Sequence, residues 1–174
     1  WPEHMMHTKI SLIPKSGAHT EDALRPMGIL PYIYRIWAAM RRQHLGQWRK
    51  RVAPPNAPST QDLVWKDITH CEVENYHGKF TGMAFLDMSK AYERVCLSKA
   101  QQAMQYTGLP QQIQKLVLQA YGAPRRVSVH GAISAQVQAT SGLVAGCGFA
   151  KDVLRAFLIH IFADDVPRDW VDDL

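Results

Sequence analysis

The segment FLDMSKAYERV, residues 85–95, contains an apolar run that reads as a strand, and the run stops at an acid, Asp87. Glycines at positions 78 and 82 bracket the turn that leads into this strand. A carboxylate at the end of a buried strand is unfavourable unless a cation or hydrogen-bond donors meet it. The sequence therefore predicts that Asp87 has a partner from another part of the chain.

The best candidate for that partner is the acidic pair in DWVDDL, Asp172 and Asp173. Adjacent carboxylates repel each other, and a divalent cation with hard oxygen ligands, Mg²⁺ above all, relieves that repulsion. Two such ions roughly 3.5–4 Å apart bring a hydroxyl in line with a phosphate and stabilise the leaving oxygen. The acids together indicate the chemistry of a polymerase.

Composition restricts the other function classes. Of the 174 residues 47% are apolar, which is enough for one domain with a core, and the net charge of +5 favours an anionic partner such as nucleic acid. Cys71, Cys96 and Cys147 are odd in number and far apart, so we expect neither a disulfide framework nor a paired zinc site. The longest apolar stretch, 154–162, is too short to cross a bilayer, and we expect no membrane partner.

The order of predicted elements indicates an α+β fold rather than a doubly wound sheet. Ile33, Ile36, Trp37 and Met40 have helical spacing and are predicted to form one apolar face. The other elements are a strand in HTKISLIP, a helix over 61–76 capped by Ser59 or Thr60, a strand in MAFLDM, helices in SKAQQAMQYT and PQQIQKLVLQAYG, a hairpin in RRVSVHGAISAQVQAT, and a helix over about 149–162 after the turn SGLVAGCG.

These segments, in this order, resemble the reverse transcriptase domain of non-LTR retrotransposons and group II introns. LIPKSG and RPMGILPYIYRIWAAM resemble the fingers, FLDMSKAYERV the first catalytic palm motif, and WVDDL the second acidic motif. The resemblance implies a right-hand polymerase with a small antiparallel sheet packed by helices. Residues 1–80 would be fingers and connecting helices, and 81–174 would be a palm that is incomplete at its C-terminus and lacks the thumb.

The resemblance implies a metal site built from the acids. Asp87, Asp172 and Asp173 match the catalytic carboxylates, and Met88 would offer its backbone carbonyl to a metal. The implied cofactor is a pair of Mg²⁺ ions, with Mn²⁺ as an alternative.

The same resemblance assigns residues that bind the incoming dNTP. Lys15 and Arg25 match the fingers cations that hold the triphosphate, a task that suits a guanidinium because its planar fork pairs with phosphate oxygens. Tyr92 matches the aromatic side chain that lies under the incoming sugar and excludes a ribose 2′-hydroxyl by contact.

The RNA template and DNA primer have their own implied contacts. Ala145 and Gly146 lie in the Gly-rich turn that touches template and primer in the family, although the family usually carries glutamine at the position of Ala145. The adjacent pair Arg125 and Arg126 is expected to follow template phosphates, which would make binding salt-sensitive and independent of sequence.

A second acidic pair, Asp164 and Asp165 in FADD, competes with Asp172 and Asp173 for the catalytic role. The family needs a helix, a turn and a strand between the Gly-rich turn and the acids. Gly146 is 18 residues before the first pair and 26 before the second, so only the second leaves room for each element. We prefer Asp172 and Asp173 and keep the other pair as the alternative.

The implied reaction is RNA-directed DNA synthesis, in which a dNTP is transferred to a primer 3′-hydroxyl. The alternatives are a catalytically inactive nucleic-acid-binding remnant of a retroelement, supported by Ala145, and a maturase-like RNA-binding protein. Because the chain starts on the approach to a strand and stops at the acidic pair, we expect a fragment of a longer reading frame with little or no polymerase activity alone. The resemblance implies an intracellular site of action, such as the nucleus.

Overall fold

The computed structural model describes residues 1–2, 5–14, 24–52, 59–82 and 88–162, apart from the side chains of Thr60 and Leu63. Within these ranges the protein is α+β, as predicted: one small four-stranded open sheet is combined with helices. None of the helices in the described ranges has the length and apolar character that a bilayer crossing requires.

The described sheet is mixed rather than purely antiparallel as predicted, and the predicted strand MAFLDM falls largely on residues 83–87, outside the described ranges. Its strands, in the spatial order β2-β1-β3-β4, are β1 (Thr8–Pro14), β2 (Leu24–Ile29), β3 (Arg125–Val129) and β4 (Ala132–Ile133). β1 pairs antiparallel with β2 but parallel with β3, with Ile10 opposite Val127. Most of the helices lie between β1 and β3 in sequence, and such a long connection lets the two strands run in the same direction.

Strand β2 was not predicted, because Pro26 reads as a breaker of secondary structure. The proline is tolerated because β2 is an edge strand. The N–H of Gly28, two residues further on, points away from β1 and donates to the Ala145 carbonyl at 2.8 Å. Alternation along a strand turns the nitrogen of Pro26 to the same outer side, so no hydrogen bond to β1 is lost.

Helix α1 (Tyr32–Arg42) occurs where it was predicted, but its buried face is different. Tyr34 and Ala38 are the buried residues, and Trp37 is partly buried. Ile33, Ile36 and Met40, predicted to face the core, are 46%, 44% and 63% exposed. The helix was predicted correctly from its spacing of apolar residues. Its buried face is the one that carries Tyr34, because the neighbouring core is aromatic.

A 3₁₀ turn at Gln43–Leu45 follows α1 and leads into the remaining helices. Ser59 caps the helix that begins at Thr60 and exchanges hydrogen bonds with Asp62 in a capping box, as the predicted cap requires. The helices after the turn are α2 (Gly46–Val52), α3 (Thr60–Tyr76), α4 (Ala91–Arg94), α5 (Leu97–Tyr106), α6 (Gln111–Tyr121) and α7 (Ala150–Ile161).

Local signals also set the ends of α5 and the hairpin. Gly108 has φ +66° and ends α5, and the N–H of Leu109 returns to the Met104 carbonyl at 2.9 Å. His130 and Gly131 both have positive φ, as a two-residue turn of type I′ requires. The predicted hairpin therefore forms.

The core lies where α5, α6 and α7 pack together and meet α1. Tyr34, Tyr121, Phe149, Met104 and Leu154 are among its fully buried side chains. Trp1 and Trp37 pack on its edge through ring contacts with Tyr34 and Phe149. This arrangement fixes the start of α7, and the turn before it, against α1.

Candidate functional site

A cavity of about 590 Å³ lies where the Gly-rich turn, 141–148, enters α7. Its walls include Tyr92 from α4 and Ala145 and Gly146 from the turn. The three residues come from two distant parts of the chain, and the family resemblance implies separate roles for them, at the sugar of the nucleotide and at the template and primer. The fold places all three around one opening.

The outer edge of β2 holds one side of the turn. Besides the bond from the Gly28 N–H to the Ala145 carbonyl, the Gly28 carbonyl lies 3.1 Å from where a Cβ of residue 146 would be. Gly146 also has φ +96°, a conformation that residues with a side chain rarely adopt. A glycine is therefore required at position 146 for this contact.

Replacing Gly28 with alanine tests the contact between β2 and the turn. The new Cβ would lie 2.1 Å from Val144 Cγ1 and 3.0 Å from the Ala145 carbonyl oxygen, so the turn must move. We expect the free energy of unfolding to fall by about 1–3 kcal/mol, as for other overpacked sites, in urea titrations.

Gly46→Ala is the matched control for this substitution. No atom lies within 4 Å of a Cβ at residue 46, in the first turn of α2, so we expect no loss of stability. Equal destabilisation by the two substitutions would contradict the tight contact between β2 and the turn.

The segment around α4 holds the other side of the turn. The N–H of Leu143 donates to the Tyr92 carbonyl and the N–H of Gly142 donates to the Val95 carbonyl, both at 2.8 Å. These bonds fix the backbone of Tyr92 next to the turn. Partial burial raises the pKa of the Tyr92 hydroxyl, so this residue presents a neutral ring to the cavity at physiological pH.

Arg125 ties the turn to α6. Its Nη2 donates to the carbonyls of Tyr121 and Gly142, both at 2.7 Å, and burial lowers the pKa of its guanidinium. Arg126, the next residue of β3, is exposed. A contact between template phosphates and this pair stays a prediction. Arg125 differs from Arg126 in that its side chain donates hydrogen bonds that hold the turn.

A bidentate ion pair between α2 and α7 forms part of the cavity wall. Nε and Nη2 of Arg49 each donate to one carboxylate oxygen of Asp152 at 2.7 Å. This hydrogen bond raises the pKa of the Arg49 guanidinium further, although burial opposes the shift. The pair fixes α2 against the first turn of α7.

A buried polar cluster lies beneath the turn. The Cys147 thiol contacts the Tyr34 hydroxyl at 3.2 Å, and Tyr121 is fully buried nearby. Burial raises the pKa of all three groups, so they are neutral at physiological pH. Cys71, Cys96 and Cys147 are all free in the structure.

Two other predicted site residues that the structure describes, Arg25 and Met88, do not line the cavity. Arg25 is exposed on β2 opposite Ile13, and the Met88 side chain is exposed before α4. Lys15, Asp87, Asp164, Asp165, Asp172 and Asp173 lie outside the described residues. Within the described ranges no three His, Cys, Asp or Glu side chains are grouped as a metal site.

The structure adds basic residues that the sequence did not single out. Arg42 from α1 and Lys151 and Arg155 from α7 line the cavity beside Arg49. The spacing of Lys151 and Arg155, one helical turn apart just after the Gly-rich turn, is a sequence signal that points to one face of α7. Nothing in the sequence indicates that Arg42 comes from α1 to the same place.

Comparison with known proteins adds no further assignment. No protein-family model matches the chain, and the comparison with curated proteins finds no match either.

Proposed function

We propose that the chain is the fingers and palm part of a reverse transcriptase, which adds dNTPs to a DNA primer on an RNA template. The observation that carries the proposal is the shared cavity of Tyr92, Ala145 and Gly146. A polymerase of this type needs the aromatic residue under the sugar to lie beside the turn that touches the template and primer. If the likeness of the two short motifs were accidental, there would be no reason to expect their residues to line the same cavity.

The described residues supply positioning. The backbone carbonyl of Tyr92 accepts a hydrogen bond from the turn, and its side chain is a neutral ring. Such a ring can exclude a 2′-hydroxyl by steric contact alone. Gly146 lines the cavity without adding a side chain to it. Holding a nucleotide in a fixed orientation supplies a large part of the catalysis in phosphoryl transfer.

The proposal assigns the metal to carboxylates outside the described residues. Asp87, Asp172 and Asp173 would hold two Mg²⁺ ions, because carboxylate oxygens are the ligands that this hard cation prefers. When bound, the ions would stabilise charge on the attacking and leaving oxygens.

A second candidate function is a nucleic-acid-binding remnant without activity. It is favoured by Ala145, which lines the cavity with a methyl group where the family carries an amide. Such a protein would bind a primer annealed to RNA but would not retain a nucleotide.

Discrimination between dTTP and ribothymidine triphosphate, which differ only in the 2′-hydroxyl, tests the proposed function. The chain is mixed with Mg²⁺ and a primer annealed to RNA, and the retention of each labelled nucleotide is measured. We expect dTTP to be retained more tightly, and Tyr92→Ala to reduce the preference by roughly tenfold or more because the ring no longer meets the sugar. Tyr76→Ala, at an exposed tyrosine outside the cavity, should leave the preference unchanged.

Equal retention of dTTP and ribothymidine triphosphate by the unsubstituted chain would contradict the role of Tyr92. Binding of the annealed primer with no retention of either nucleotide would favour the remnant. Primer extension by the chain, abolished in Asp87→Asn, would exclude the remnant directly.

A further inference from the structure

The cavity has a basic wall that none of the motifs includes. Four basic residues and one acidic residue line it, and they come from α1, α2 and α7. They are Arg42, Arg49, Lys151, Arg155 and Asp152. This excess of positive charge lies directly beside Tyr92 and the Gly-rich turn.

The single acid does not offset the rest of the wall. The Asp152 carboxylate is bound by both nitrogens of the Arg49 fork, and its side chain is only 7% exposed. The positive charge of Arg49 is in turn neutralised by this ion pair with Asp152. The remaining excess is carried mainly by side chains that reach solvent, Arg42 and Lys151.

Arg42 reaches the cavity because residue 148 is a glycine. A Cβ at residue 148 would lie 3.2 Å from Arg42 Cδ and 3.6 Å from Ala38 Cβ, so the arginine stem runs across the turn at van der Waals distance. The contact between α1 and the turn therefore directs a long cationic side chain into the opening. Arg41, the preceding residue, is exposed and lies outside the cavity lining.

Lys151 belongs to the first turn of α7, a helix of 12 residues. The positive end of the helix dipole adds to the potential of the lysine. Ala145, in contrast, offers no polar side chain to the same opening. Binding at this wall would therefore depend on charge rather than on a hydrogen bond from a side-chain amide.

We propose that Arg42 and Lys151 form a phosphate-binding wall in this cavity. The inference rests on the proposed function, because it takes the phosphate to belong to a nucleotide or to a nucleic-acid strand seated beside Tyr92. It assigns to two residues outside the motifs the task of holding a phosphate group at the Gly-rich turn.

Inorganic tripolyphosphate is the first probe, because it has neither sugar nor base. Its affinity is measured by calorimetry at low salt for the chain and for Arg42→Ala and Lys151→Ala. We expect each substitution to weaken binding by about fivefold to tenfold, as for the loss of one close charge contact at low ionic strength. Unchanged thermal unfolding would show that the variants are folded.

Arg41→Ala and Lys115→Ala are the matched controls, since both residues are exposed and neither lines the cavity. We expect them to change the affinity less than twofold. Equal weakening by the controls, or no weakening by Arg42→Ala and Lys151→Ala, would overturn the proposal.

The source of the phosphate follows from repeating the measurement with dTTP and with a single-stranded RNA of twelve nucleotides. A larger loss of affinity for dTTP assigns the wall to the nucleotide, and a larger loss for RNA assigns it to a strand. The proposed function fails separately, because its test is the preference for dTTP over ribothymidine triphosphate. Tripolyphosphate has no sugar, so its binding does not depend on that preference.

Discussion

Replacing Arg49 with methionine is expected to lower the free energy of unfolding by about 3–5 kcal/mol, because it leaves the buried Asp152 carboxylate without a partner. The Asp152 side chain is 7% exposed, whereas that of Arg49 is 32% exposed. Methionine keeps much of the arginine stem but removes both donors. The loss would be read from urea unfolding at neutral pH.

The reciprocal substitution, Asp152→Asn, should lower the free energy of unfolding by less than Arg49→Met does. Asp152→Asn leaves Arg49 with an amide oxygen as one acceptor, and the partly exposed guanidinium can turn to water. Lys50→Met, at the exposed neighbour in α2, should change stability by no more than about 0.5 kcal/mol. A loss for Arg49→Met no larger than that of Lys50→Met would show that the ion pair does not hold α2 against α7.

Replacing Arg125 with methionine has the second largest expected effect, a loss of about 2–4 kcal/mol in the free energy of unfolding. The substitution removes the two charge-assisted hydrogen bonds that Arg125 donates to the carbonyls of Tyr121 and Gly142. The Gly-rich turn then loses its tie to α6. We expect a lower urea midpoint and weaker binding of every ligand that uses the turn.

Arg126→Met is the matched control, because Arg126 neighbours Arg125 in β3 but is exposed. We expect little change in stability and, if Arg126 follows template phosphates, a smaller salt dependence of RNA binding. Equal stability losses for the two substitutions would contradict the assignment of the turn's support to Arg125.

The sequence predicted most helices because their signals are local. Ser59 and Asp62 form a capping box within one turn, and Gly108 ends α5 through its own positive φ. Strand β2 was missed because a proline argues against a strand, and only the tertiary structure shows that Pro26 lies on an edge. The buried face of α1 was misread because Tyr34, rather than Ile33 or Ile36, fits the aromatic core.

The site was predictable only in part. Tyr92, Ala145 and Gly146 were assigned through the resemblance, and their common cavity depends on hydrogen bonds between backbone groups that no residue type encodes. The basic wall was missed because Arg42 enters the cavity across Gly148, a contact between α1 and the turn before α7. Contacts of this kind depend on packing between distant segments, which spacing along the chain does not reveal.

Manganese binding, followed by electron paramagnetic resonance, tests the central claim that Asp87 and a later acidic pair share divalent cations. We predict that the chain binds Mn²⁺, that Mg²⁺ displaces it, and that Asp87→Asn and Asp172→Asn each weaken binding by roughly tenfold or more. Asp164→Asn should leave binding unchanged. Mn²⁺ binding that is insensitive to both Asp87→Asn and Asp172→Asn would contradict the polymerase account.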